Sequence, residues 1–272
     1  MKPPIGRDTR LCMSLSARPG NFGSRFQNHL YEALGLDYVY KSFTTQNLPA
    51  AIGGIRALGI RGCAISMPFK EAVIPLIDTL EASARAIQSI NTIVNDDGRL
   101  TGYNTDYSAV RTLAEQSGLD RGAPFILRGS GGMAKAVAAA LRDGGFHNGT
   151  ILARNAQSGP ALAARYGFRW QAAAEGLSAP FLINASPLGM AGADEAALAF
   201  TPAQIAAAAV VFDVVAVPLE TPLLAAARAA GKRLITGGEV AVLQALAQFE
   251  LYTGVTPTPA QVEQATAFAR TG

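Results

Sequence analysis

The chain has 272 residues, 49% hydrophobic and 16% charged, which is enough for one large or two modest cores and excludes a disordered or fibrous protein. Its formal net charge of +3 comes from 23 basic against 20 acidic residues without any basic run, so no nucleic acid and no membrane surface is expected as partner; a small anionic molecule is. The start MKPPIGRDTR lacks an apolar signal core and the longest apolar stretch, AAAAVVFDVVAV, is broken by Asp213, so the expected location is cytoplasmic with no membrane span.

From Leu11 to Asn104, short β-rich runs (LCMSLS, DYVYKSF, GCAIS, NTIVN) alternate with helical stretches at 26–34 and 48–58, a βαβ pattern that predicts a mostly parallel sheet. NTIVN and LTGYN flank an Asp-Gly pair, Asp97-Gly98, and predict a hairpin at the edge of that sheet. A helix over 108–117 leads to Leu119–Pro124, whose Asp, Arg, Gly and Pro mark a joint. A second series follows: strand FILRG, a glycine-rich turn, helix 134–143, strand TILA, helix 159–166, strands FLINAS and VVFDVV, helix 222–230 and strand RLIT. The segment from Gly238 to Arg270 reads as helix.

The fold class expected is α/β with two domains and a cleft between them. Residues 1–107, completed by 241–272, form an N-terminal mixed α/β domain for the substrate. Residues 108–240 form a Rossmann-like doubly wound domain. Cys12 and Cys63 lie in apolar strand-like runs and read as buried thiols of a reducing compartment. No His, Cys or carboxylate cluster has ligand spacing, so no metal is expected.

FILRGSGGMAKAV places glycines between an apolar strand and an alanine-rich helix. Missing side chains there let backbone N–H groups and the helix N-terminus approach a pyrophosphate, making Gly129, Ser130, Gly131, Gly132, Met133 and Ala134 a candidate cofactor cradle. A plain tight turn is the alternative. At the end of the next strand an acid would accept a ribose 2′-hydroxyl, whereas this chain has Arg154, which suits a 2′-phosphate. NADP is therefore expected rather than NAD, unless Arg154 is simply a surface arginine.

A nicotinamide enzyme acting on an alcohol needs a general base. His29, on an amphipathic helix, and His147, in the polar turn GGFHNG, read as surface residues. Lys70 follows a strand end and Pro68, and the apolar bulk of Met67 and Phe69 is expected to strip water from its ammonium. Asp106 would supply the counter-charge. Residue pattern alone leaves open that Lys70 is a solvated lysine at a helix start and Asp106 an N-cap.

Taken together, these motifs resemble the shikimate/quinate dehydrogenase family, closest to its shikimate dehydrogenase-like branch. The likeness runs through GCAISMPFK, INTIV, YNTDY, GSGG, ARN, NASPLGM, TPLL and GGEVAVLQALAQFELYTG, almost the whole chain. It implies a place in aromatic amino acid biosynthesis, the shikimate pathway, and reversible hydride transfer between NADP and the C3 of shikimate, 3-dehydroshikimate or a close analogue. Lys70 and Asp106 would be the acid-base pair. Ser14, Ser16, Ser66, Asn91 and Gln244 would hold the substrate, a cyclohexene carboxylate. Asn184, Ser186, Met190 and Gly237 would line the cofactor side together with the glycine loop and Arg154. Monomer and homodimer both fit.

Departures accompany the likeness. The family's Ser-x-Ser pair for the substrate carboxylate aligns with Asn21 and Gly23, while Ser14 and Ser16 lie seven residues earlier; Ala64, Ala216 and Ser158 stand where the family has asparagine, tyrosine and often lysine. Such losses imply slow turnover on shikimate itself. Quinate or aminoshikimate dehydrogenase, or a non-catalytic NADP-binding sensor, are the alternatives.

Overall fold

The first unit contains the residues up to Thr105 and those from Val242 on. The computed structural model describes residues 2–271. In chain order the unit carries β1 (Arg10–Leu15), α1 (Phe22–Ala33), β2 (Tyr38–Phe43), α2 (Leu48–Ala57), β3 (Gly62–Ile65), α3 (Phe69–Ala72), β4 (Thr79–Leu80), α4 (Ala82–Ile87), β5 (Thr92–Asp96) and β6 (Arg99–Tyr103). Its sheet runs β2-β1-β3-β5-β6-β4. The β1–β2, β1–β3 and β4–β6 pairs are parallel, and β3–β5 and β5–β6 antiparallel. The Asp-Gly hairpin forms, with Asp97 and Gly98 both at positive φ (50° and 90°) between Asp96 and Arg99, which pair. It is not the sheet edge, however: the two-residue β4 pairs outside β6 and covers it. So short a strand shows no alternation in sequence.

The second unit, Asp106–Ala241, starts in the first turn of α5 (Thr105–Glu115). It continues with β7 (Phe125–Arg128), α6 (Gly132–Asp143), β8 (Gly149–Leu152), α7 (Ser158–Tyr166), β9 (Arg169–Gln171), β10 (Phe181–Asn184), α8 (Pro202–Ala207), β11 (Val210–Asp213), α9 (Pro222–Ala229) and β12 (Arg233–Thr236). All pairs in the sheet β12-β11-β10-β7-β8-β9 are parallel. Strands buried on both faces explain their unbroken apolar runs, FIL, VVF and LI. The order reverses at β7, the place where ligands sit in such sheets. The stretch Leu119–Pro124, read as a joint, is a loop inside this unit; the chain changes unit at Thr105/Asp106, within helical turns, because the α5 pattern begins earlier than Ser108. Sequence also missed β9 and α8, both short.

α10 (Gly237–Thr253) and α11 (Pro259–Arg270) close the chain. Ala245, Phe249 and Tyr252 of α10, with Ala265 and Ala269 of α11, complete a core around Cys12, Phe26, Leu30, Tyr31 and Tyr40. The Tyr31 and Phe249 rings stack 5.4 Å apart. Each such aromatic contributes about 2 kcal/mol through buried apolar area. Capping boxes start α8 at Thr201/Gln204 and α11 at Thr258/Gln261. Both cysteines are buried and unpaired, and burial pushes the Cys12 thiol up to about 12. Among the described residues no helix is long and apolar enough to cross a membrane, and no three His, Cys, Asp or Glu side chains group to hold a metal.

Candidate active site

In the second unit, β7, β8 and β10 end side by side, with Arg128 opposite both Leu152 and Asn184. The chain leaves β7 at Gly129 with φ of 121°, and a Cβ there would lie 2.6 Å from the Ala185 carbonyl oxygen, so only glycine fits. Gly131 is the N-cap of α6 and offers no side-chain cap, which leaves the first-turn N–H groups open to a ligand. A Cβ on Gly131 would meet no protein atom within 4 Å. Its missing side chain therefore serves no internal packing. It keeps open the approach to the helix N-terminus that a pyrophosphate requires.

A cleft of about 520 Å³ opens over these ends, lined by Gly129, Ser130, Arg154, Asn155 and Ser186, with Arg128 and Asp194. Supports behind it are specific. Trp170 Nε1 donates to the Ala153 carbonyl at 3.0 Å and fixes the residue before Arg154. Asn155 Oδ1 accepts from the N–H groups of Gln157 and Ser158, and the Ser130 and Ser158 hydroxyls bond at 2.8 Å. Arg154 is exposed and makes no bond with another described side chain. The donor set of open helix amides, a bare glycine approach and a free guanidinium suits a phosphorylated dinucleotide.

Other residues expected at the cofactor are partly or wholly buried. Ala134 lies in the buried face of α6, and Met133 is half-buried. Asn184 is fully buried: its Nδ2 donates to the Leu188 carbonyl and to Asp213 Oδ1, and its Oδ1 accepts from the Ser186 N–H and hydroxyl. Asp213 in turn accepts from Val215 N and, at 2.6 Å, from the Thr221 hydroxyl. Burial raises its pKa against these bonds. Asn184 thus shapes the loop that carries Ser186 and half-buried Met190. Gly237 starts α10 against β11's continuation, where a Cβ would overlap the Val215 carbonyl. Sequence had noticed Asp213 only as a break in an apolar run, and it gave Arg128 no role.

In the first unit, β1 and β3 are adjacent and parallel, so Ser16 and Ser66 follow them at one end of the sheet; Ser66 N donates to the Leu15 carbonyl. Ser14, half-buried on β1, faces Ser42 and Ala64 in register. The Ile90 N–H donates to the Lys70 carbonyl, and the Asn91 carbonyl accepts from Ile65 N, so Ser66, Lys70 and Asn91 are brought together. Asn91 Oδ1 accepts from Thr92 Oγ1, Thr105 N and Thr105 Oγ1, which commits the oxygen and leaves the Nδ2 amine to donate to a ligand. Asp106 is the next residue after Thr105, in the first turn of α5. Gln248 Nε2 contacts the Asn91 carbonyl and Thr92 Oγ1; Gln244 lies one turn earlier on α10.

Met67 is 63% exposed just beyond the end of β3, and Phe69 packs on the core. The positions aligned with the family's serine pair, Asn21 and Gly23, begin α1, and Asn21 caps nothing with its side chain. The hydroxyls found nearby are Ser24 and Ser42, 2.7 Å apart. His29 stacks on Phe268, and His147 is exposed beside Arg142, so neither histidine serves these sites.

An α/β chain whose second unit is a doubly wound sheet with a glycine turn at its switch point is of the dinucleotide-dependent oxidoreductase class. Residues 22–93 match the shikimate dehydrogenase substrate binding domain family. Over 268 residues, 98% of this chain and 99% of the relative, it is 53% identical to the shikimate dehydrogenase-like protein of Haemophilus influenzae. It is 36% identical to the shikimate dehydrogenase (NADP(+)) of Oleidesulfovibrio alaskensis across 82% of each chain. The structure of Thermus thermophilus shikimate 5-dehydrogenase in complex with NADP(H) and shikimate superposes with a TM-score of 0.86 at 28% identity, covering 96% of this chain and 99% of that one. The chain belongs to the shikimate dehydrogenase family.

Proposed function

We propose that the protein is an NADP-dependent oxidoreductase acting reversibly at the C3 alcohol of shikimate or a close analogue, with Lys70 and Asp106 as its acid-base pair. The observation that carries the reading is the β7–α6 turn, where Gly129 and Gly131 leave uncapped helix amides open beside the free guanidinium of Arg154. NADP, when bound, supplies the hydride acceptor and donor. The amides of α6 bind its pyrophosphate and Arg154 its 2′-phosphate. The unit completed from Val242 on binds the substrate. Asn91 Nδ2 donates to a ring hydroxyl, aided by Ser14, Ser16, Ser66 and Gln244. Lys70 Nζ takes the C3 hydroxyl proton during oxidation and returns it in the reverse direction, while Asp106 orients the ammonium and balances its charge.

Contacts absent at Ala64 and Ala216 each remove about 1–3 kcal/mol of recognition, so turnover on shikimate is slow and a related ring acid is the better substrate. The two free thiols suit a reducing compartment such as the cytoplasm. An absorbance assay at the reduced-nicotinamide band, with NADP and NAD against shikimate, quinate and their amino analogues, tests this. Turnover with NADP on at least one of them is expected. Tight NADP binding without turnover on any would make the chain a cofactor-binding sensor instead.

A further inference from the structure

The cleft over Gly129 and Arg154 contains a second guanidinium. Arg128 is the last residue of β7, and its guanidinium carbon stands 5.5 Å from the centroid of the Phe200 ring. Its Nε is buried without a hydrogen-bond partner. Burial, and after it the charge of Arg154, lowers its pKa from the ordinary arginine value. Asp194, the carboxylate on the cleft wall, is exposed and bonds to neither arginine. Ser158, at the start of α7, shares a hydrogen bond with the Ser130 hydroxyl and brings no charge.

Two like charges thus line one cleft, and neither is bonded to a carboxylate. A buried donor left unmade and two repelling cations are each costly in the free protein, and one dianion between them would relieve both. Strand geometry sets where that dianion lies. Arg128 ends β7 opposite Leu152, and Arg154 extends two residues beyond that partner on the adjacent strand, at the point where the adenosine ribose sits in such sheets.

Resting on the NADP reading above, we infer that Arg128 is a specificity-determining residue: from the end of β7 it joins Arg154 in holding the 2′-phosphate, with Phe200 supporting the plane of its guanidinium. The dinucleotide is then selected by an arginine at the end of β7 together with the one in the loop after β8, rather than by that loop alone.

Calorimetric titration of the full chain with 2′,5′-ADP and with 5′-AMP isolates the phosphate. The wild type prefers 2′,5′-ADP. Arg128→Leu loses about tenfold or more of its affinity for 2′,5′-ADP and less than about threefold for 5′-AMP, which also reports that the variant is folded. Arg128→Lys, keeping the charge without the fork, falls between. A flatter salt dependence of 2′,5′-ADP binding accompanies the loss in Arg128→Leu. Equal losses for both nucleotides would place Arg128 on the adenine and overturn the inference. Wild-type-like preference in Arg128→Leu would overturn it while leaving the NADP reading intact. A wild type that binds both nucleotides equally would overturn the two together.

Discussion

The ends of β7, β8 and β10 and the ends of β1 and β3 prepare binding in different ways. In the second unit the candidate groups are backbone: a glycine at φ 121°, uncapped amides of α6, and a helix start that no side chain obstructs. In the first unit they are side chains: the hydroxyls of Ser16 and Ser66, whose backbone N–H groups donate to the Phe43 and Leu15 carbonyls, and the amide of Asn91, whose oxygen accepts from Thr105. A backbone site is tied to the fold and changes only with it. A side-chain site can be rebuilt residue by residue on an unaltered sheet. The familiar motif therefore persists at GSGG, while the expected serine pair has shifted and Ala64 has replaced a polar residue.

Substitutions can break this contrast. The largest effect is expected from Gly129→Ala, which combines an unfavourable φ with a Cβ 2.6 Å from the Ala185 oxygen; destabilisation of the second unit by about 2–6 kcal/mol should appear in urea unfolding. Unchanged stability would mean the turn relaxes freely and the backbone is no fixed site. Lys70→Ala should lower kcat by about 10²-fold or more while NADP affinity stays within about twofold. A near-normal kcat would make Lys70 a bystander.

Gly131→Ala sharpens the comparison, since its added methyl meets no protein atom. Melting temperature should hold while NADP binding weakens about tenfold in a fluorescence titration; an unaffected affinity would remove the pyrophosphate from this helix start. The smallest effect concerns Asp213. Burial raises its folded pKa above the unfolded value, so its stabilising contribution is full below the unfolded pKa and is lost as pH rises through the folded one. Stability of Asp213→Asn, followed by chemical unfolding from acid to neutral pH, should therefore decline less with rising pH than that of the wild type.

The glycine turn and the Asp97-Gly98 hairpin were legible in sequence because their backbone demands can be met by few residue types. Lys70, Asn91 and Asp106 are candidates by resemblance, and the backbone bonds of Ile65 and Ile90 draw the segments of Ser66, Lys70 and Asn91 together. β4 and β9 were not legible, since two or three residues carry no period. The Asn184–Asp213–Thr221 network joins residues far apart along the chain, and only pairing of β10 with β11 reveals it. Arg128 looks like any arginine at a strand end until Arg154 and Phe200 are placed beside it.

The core around Tyr31 draws Phe249, Tyr252 and Ala265 from beyond Val242. Synthesis delivers those residues after the whole of the second unit. All of Asp106–Ala241 has emerged before they appear, so the middle of the polypeptide is free to finish folding while the beginning still waits for its missing wall. A released chain truncated after Ala241 would then resist protease over its middle and be cut within its first hundred residues.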